Sequence, residues 1–207
     1  MLVLLPWHAG SMEPRLPIDI QPALGRYLVL LDKWNRTHAL TALPPGERRE
    51  ELLQDAAALL PFLAGLPTGA RVVDFGTGMG SPAVVLALAR PDLEVLGVDA
   101  SSKKMAFLRQ VAMELPVPNL QVVQGRLEAL EPMQAHWGTA KALAPLDALL
   151  GWWGRHGRPE APFFALKGQD WGDELLPGGW AAKPHPYALP TRGSRVVVEL
   201  RPSPGKT

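Results

Sequence analysis

The chain has no cysteine, which excludes disulfides, thiolate nucleophiles and cysteine-held zinc. Its five histidines show no paired ligand spacing, so no metal is expected. Long apolar runs are also missing. Met1 to Pro6 is apolar, but it lacks a basic flank and is broken by Pro6 and His8, well short of a signal or membrane segment. It reads as a short strand or loose arm, so no membrane association and a cytoplasmic location are expected. An excess of one charge is lacking too: 21 Lys and Arg face 20 Asp and Glu, a net charge of +1. No global field recruits nucleic acid, although a local basic face could. What the chain does have is 47% hydrophobic residues over 207 positions, enough to bury the core of one ordinary domain, and 22 prolines and 20 glycines that imply many short loops.

The most informative stretch is Arg71-Val72-Val73-Asp74-Phe75-Gly76-Thr77-Gly78-Met79-Gly80-Ser81. A β-branched run ends in glycines at alternate positions, and an Ala- and Leu-rich helical pattern follows up to Arg90. Glycine supplies positive φ and lets a ligand approach the backbone, while the helix start beyond offers unpaired N–H groups. This predicts a strand, a tight loop and a helix that meet a nucleotide-like ligand. A dinucleotide fingerprint wants a third glycine where Ser81 stands; the spacing here suits S-adenosylmethionine (SAM), which has no pyrophosphate.

Around this loop the pattern alternates. Strands are predicted at Arg71–Phe75, Leu93–Val98, Leu120–Val123 and Phe163–Leu166, with a further strand carrying Lys141 into Ala142-Leu143-Ala144-Pro145. Helices are predicted at Ser81–Arg90, Ser102–Glu114 and Pro145–His156. Such alternation implies an α/β fold with a mostly parallel, doubly wound sheet. Before it, apolar stripes predict helices at Pro22–Thr37 and Glu47–Leu63, which form a helical cap. After it, Trp180–His185 and Arg195–Leu200 read as an antiparallel edge pair turning at Leu189 to Gly193, and Pro202–Thr207 as a frayed end.

Candidate site residues follow from strand ends. In the loop these are Gly76, Thr77, Gly78, Gly80 and Ser81; at the end of the second strand, Asp99 and Ala100. The Asp99 carboxylate can accept ribose hydroxyls, or cap the helix near Ser102, or both. An adenine could rest against Gln124-Gly125-Arg126-Leu127-Glu128 after the third strand, with Arg126, Leu127 and Glu128 as the candidate contacts; an ordinary acid at a helix start is the alternative for Glu128. Lys141 and Lys167 close later strands and face the crevice, or solvent. Trp152, Trp153, Trp171 and Trp180 fit core or interface packing better than base stacking.

As a set, these segments resemble the glucose-inhibited division protein B family, the bacterial small-subunit ribosomal RNA guanine-N7 methyltransferases. The likeness is carried by Leu31-Asp32-Lys33-Trp34-Asn35-Arg36-Thr37-His38-Ala39-Leu40-Thr41, Ala58 to Leu63, Val73 to Gly80 with Pro82, Arg90 to Leu93, Lys103-Lys104, Phe107-Leu108, Ala142 to Leu146 and Ala165 to Gly168. The resemblance implies a Rossmann-like SAM-dependent methyltransferase fold, with arm and cap at 1–66 and the methyltransferase unit at 67–207. It implies SAM as cofactor, bound at the residues above together with Lys141, and Lys141 and Lys167 as catalytic residues. The implied substrate is N7 of a guanine in the 530 loop of 16S rRNA, in the rRNA or the small ribosomal subunit, and the protein is expected to be a monomer. The chain departs from the family pattern at Ser81, Ala83, Lys141, Leu52, Ala56 and Ala39, so two other readings stay open. One is a SAM-dependent methyltransferase with another substrate; the other is a non-catalytic RNA- or ribosome-binding relative.

Overall fold

The computed structural model of the chain describes residues 14–203. The apolar start at Met1 to Pro6 and the end at 204–207 lie outside them. The described residues form a seven-stranded sheet flanked by helices. In chain order the strands are β1 (Arg71–Phe75), β2 (Glu94–Asp99), β3 (Leu120–Gln124), β4 (Trp137–Lys141), β5 (Phe163–Lys167), β6 (Trp180–Leu189) and β7 (Gly193–Pro202). Their spatial order is β3-β2-β1-β4-β5-β7-β6. β1 to β5 pair in parallel, and β7 inserts antiparallel between β5 and β6. The order reverses beside β1, so the carboxyl ends of β1, β2 and β4 border one crevice.

The sheet has helices on both faces because its central strands are apolar throughout. In β1 every residue after Arg71 is buried, as both-face cover requires. The helix α1 (Gln21–His38) buries the stripe Ala23, Leu24, Tyr27, Leu30 and Leu31, and shares one core with α4 (Ala83–Ala89) and α5 (Ser102–Glu114). α4 is buried all round, which explains its unbroken Ala, Val and Leu composition. On the opposite face α6 (Leu146–His156) packs Trp153 and Leu149 against Phe75 and Phe163. The outer strand β6 carries Pro184, Pro186 and an exposed Lys183, which blunt an open edge.

The second cap helix, predicted as continuous over Glu47–Leu63, is broken into pieces. It divides into α2 (Pro45–Arg48), a wide π turn (Arg49–Gln54), α3 (Asp55–Ala57) and a 3-10 turn (Leu60–Leu63). Pro61 ends the regular helix, because it brings no N–H and its ring crowds the preceding turn. The tail strands are longer than predicted, ten residues each, and reach the cap: the backbone N–H of Thr191 donates to Glu50 Oε1 at 2.7 Å.

Asp74 ties β1 to α4. It is fully buried, and its Oδ2 accepts the Ala83 N–H at 3.1 Å, satisfying a donor at the helix start. Burial pushes this carboxyl up to about 7, against the opposing pull of Thr77, the Ala83 N–H and Lys141. The unfolded chain therefore loses this proton first as pH rises. The stability linked to Asp74 is complete below the ordinary value of 3.8 and is lost as pH climbs to about 7. Asp74→Asn removes that dependence, so the melting temperature of the variant relative to the parent is expected to climb between about pH 4 and pH 7 and to level off above. A difference that does not change with pH would show that Asp74 is ionised throughout.

At the end of α1, Ala39 takes a left-handed conformation with φ 46°, and its N–H closes on Asn35 O. A β-carbon is unfavourable there, and glycine or asparagine is the usual occupant. Ala39→Gly is expected to raise the unfolding free energy by about 1 kcal/mol, read from the urea midpoint. A lowered midpoint would contradict this.

Candidate active site

The glycine loop turns sharply from β1 into α4. Gly76, Gly78 and Gly80 have φ of 65°, 59° and 102°, values that favour glycine. At Gly80 a β-carbon would also lie 2.6 Å from Leu108 Cδ1. At Gly76 it would meet Leu143 Cδ1 at 2.5 Å, so the loop after β4 rests directly on the first glycine. Asp99, at the end of β2, holds the middle of the turn: its Oδ2 accepts the Gly78 N–H at 3.0 Å and its Oδ1 the Ser101 N–H at 2.8 Å. Ser101 in turn caps α5, accepting the Lys104 N–H at 3.4 Å. The capping role weighed for Asp99 thus falls to Ser101, which Asp99 holds in place, and each Asp99 oxygen keeps a further lone pair for a ribose hydroxyl.

Beside Asp99 opens a cavity of about 230 Å³ lined by Gly76, Val98, Asp99, Ala100, Gly125, Arg126, Leu127, Glu128, Leu143 and Trp152. Pockets for whole drug-sized ligands run to about 300–1,000 Å³, so this one matches a single nucleoside rather than a dinucleotide. Its apolar walls suit a base, and the acid at its rim suits a ribose. Of the residues predicted to hold cofactor, Gly76, Asp99, Ala100, Arg126, Leu127 and Glu128 meet here. Thr77, Gly78 and Gly80 lie along the adjoining turn. Ser81 does not join them through its side chain: the hydroxyl is buried and donates to Leu52 O at 2.6 Å. Two departures from the family pattern therefore touch each other beneath the loop and leave the cavity side unchanged.

Lys141 and Lys167 end β4 and β5 on the crevice side, and both are engaged. Lys141 Nζ donates to Glu51 O of the π turn and lies 3.5 Å from Asp55 Oδ2. Asp55 is buried and also accepts the Tyr187 hydroxyl, and burial beside that carboxylate holds the Tyr187 phenol well above its ordinary range. Lys167 Nζ donates to Ala144 O and to both Glu174 oxygens at 2.8 Å, while Glu174 accepts the Leu146 N–H at the start of α6. Lys167 thereby fixes the segment after β4, where Ala142 is held at φ 48°. Among the described residues no group of His, Asp and Glu could hold a metal ion, and no helix is long and apolar enough to cross a membrane.

Sequence reasoning missed Val98, Leu143 and Trp152 as cavity walls, while Gly125 lies in the segment it assigned to adenine. Trp152 is half-buried, and its Nε1–H donates to Glu128 Oε1 at 3.0 Å. Neither periodicity nor spacing separates it from Trp153, its neighbour in the core; only the rotation of α6 on the sheet does.

The profile of the family described as rRNA small subunit methyltransferase G matches residues 20–179. Curated relatives named ribosomal RNA small subunit methyltransferase G include one from Neisseria gonorrhoeae (strain ATCC 700825 / FA 1090), 40% identical over 144 residues, covering 69% of this chain and 68% of its own. Another, from Bordetella pertussis, is 38% identical over 206 residues, covering 92% and 90%. Among solved structures, precorrin-6y C5,15-methyltransferase from Geobacter metallireducens superposes with a TM-score of 0.58 at 14% identity, over 73% of this chain and 92% of its own. The cofactor-bound protein Rv0187 from MTB gives 0.59 at 18% identity, over 92% and 98%. These two share the fold. The sequence match runs from the start of α1 to the turn before β6, and the chain belongs to the rRNA small subunit methyltransferase G family.

Proposed function

We propose that this protein transfers a methyl group from SAM to N7 of a guanine in the 530 loop of 16S rRNA, acting as a cytoplasmic monomer. The observation that carries the reading is the nucleoside-sized cavity against Asp99 and the glycine turn, in a chain of this family. The residues present fit SAM: an acid at the rim for ribose hydroxyls, apolar walls for adenine, and a glycine turn where a β-carbon on Gly78 would meet only Gly76 O, at 3.9 Å. When bound, SAM supplies an electrophilic methyl group on a sulfonium centre.

The chain's own residues then have a positioning task. N7 of guanine carries an in-plane lone pair and no proton, so no general base is required. In keeping with this, Lys141 and Lys167 spend their ammonium groups on backbone carbonyls and carboxylates, where they brace the cap and the segment after β4. The methylated ring gains positive charge, and the pairing of Lys141 with Asp55 keeps an uncompensated cation from standing beside it. In-line alignment between two braced walls can supply most of the rate.

The reading is tested by tritiated methyl transfer from SAM to 30S subunits and deproteinised 16S rRNA, with the labelled base mapped. Label at N7 of one guanine in the 530 loop is expected. Label elsewhere, or binding of SAM without transfer to either ribosomal substrate, would assign another substrate, and absence of SAM binding by the folded protein would indicate a non-catalytic relative. Asp99→Ala is expected to weaken SAM binding by about 1–3 kcal/mol in calorimetry, the scale of leaving buried polar groups unpaired. Unchanged affinity would move the ribose contact elsewhere.

A further inference from the structure

The helix α5 breaks a local rule at its start. Its first turn, Ser102-Lys103-Lys104, has no acidic residue and carries two lysines where the helix dipole is positive and favours Asp or Glu. Lysines kept against the preference of their own helix point to an outside anion. The place is specific as well. Ser101, which caps this helix, is bound by the Asp99 carboxylate at the rim of the nucleoside cavity, so the lysines belong to the helix turn that starts from this rim.

A second helix brings more positive charge to the same rim. α1 packs against α5 through Trp34 and Phe107, with ring centroids 5.7 Å apart, and Lys103 Nζ donates to Ala39 O at 3.1 Å, just past the end of α1. The last turn of α1 exposes Arg36 and His38. The nearby acid Asp32 is taken by the buried Arg48. Among the described residues, Arg36, Lys103 and Lys104 form no ion pair, in contrast to Lys141, Lys167, Arg192 and Arg195. In a chain of net charge +1 this is a local concentration of unpaired cations beside the cavity.

We infer that the ridge formed by Arg36, Lys103 and Lys104 is the clamp for the RNA phosphate backbone, which holds the strand that presents the target base to the crevice. The inference rests on the proposed rRNA methyl transfer and adds the surface that takes the substrate. Phosphate contacts of this kind set position and carry no base specificity.

The test compares the parent with the triple variant Arg36→Gln, Lys103→Gln, Lys104→Gln, and with Lys183→Gln on β6 as a single charge removal at a distant exposed site. Affinity for deproteinised 16S rRNA is measured from about 0.05 to 0.2 M KCl. The triple variant is expected to bind at least about tenfold more weakly, with a log–log salt slope shallower by about two, while Lys183→Gln follows the parent. SAM affinity by calorimetry is expected to be retained, and in methyl transfer the loss should fall on the KM for RNA. Because both lysines oppose the helix dipole, Lys103→Gln/Lys104→Gln should melt no lower than the parent; a lower melting temperature would overturn the claim that they are kept against the helix. RNA affinity and slope equal to the parent, or a loss shared by Lys183→Gln, would overturn the clamp while methyl transfer by the parent still stood. Absence of transfer by the parent would remove the proposed function and the clamp with it.

Discussion

Two carboxylates pin the turn between β1 and α4, and the crevice is arranged around that grip. Asp74 holds the far end through the Ala83 N–H, and Asp99 holds the middle through the Gly78 N–H. Between them the chain reverses with positive φ at Gly76, Gly78 and Gly80, residues that bring no side-chain contacts of their own. Charge-assisted bonds to backbone N–H groups replace those contacts, and they also organise the helix starts on either side. The cost is visible in Asp74, whose burial raises its carboxyl to about 7. That cost fits a site where the position of the turn matters more than the last increment of stability.

The other wall of the crevice is built from parts distant in sequence. The π turn of the cap presents the Glu51 and Leu52 carbonyls to Lys141 and to Ser81, and Asp55 just beyond it binds Tyr187 from the tail. π turns widen a helix locally and recur at functional sites. Here the turn joins the cap, the glycine loop, β4 and the tail at one place. The departure of Ser81 from its family pattern makes physical sense there: a hydroxyl at this point satisfies a cap backbone carbonyl, that of Leu52.

Much of the α/β framework was legible because each prediction rested on a local pattern. The stripe of α1, the apolar β1 and the fully buried α4 follow directly from the spacing of Leu, Val and Ala. The second helix of the cap was misread as continuous because its apolar residues keep helical spacing through the π turn, and Pro61 stops the helix without disturbing that spacing. The tail pair was foreseen, but its ten-residue length was not, since Pro184 and Pro186 argue against a strand unless it lies at an edge.

For the site the division is sharper. Glycine spacing and an acid at the end of the next strand are local requirements of a nucleoside beside a helix start, so Gly76 to Gly80 and Asp99 could be named from the sequence alone. Membership of the family could be read there too, from motif order. Tertiary structure alone decided that Leu143 closes on Gly76, that Trp152 rather than Trp153 reaches the cavity, and that Lys141 and Lys167 brace walls instead of standing free. These depend on how α6 rotates on the sheet and on how the cap meets the tail. Such contacts join residues many positions apart, and no periodicity in the chain records them.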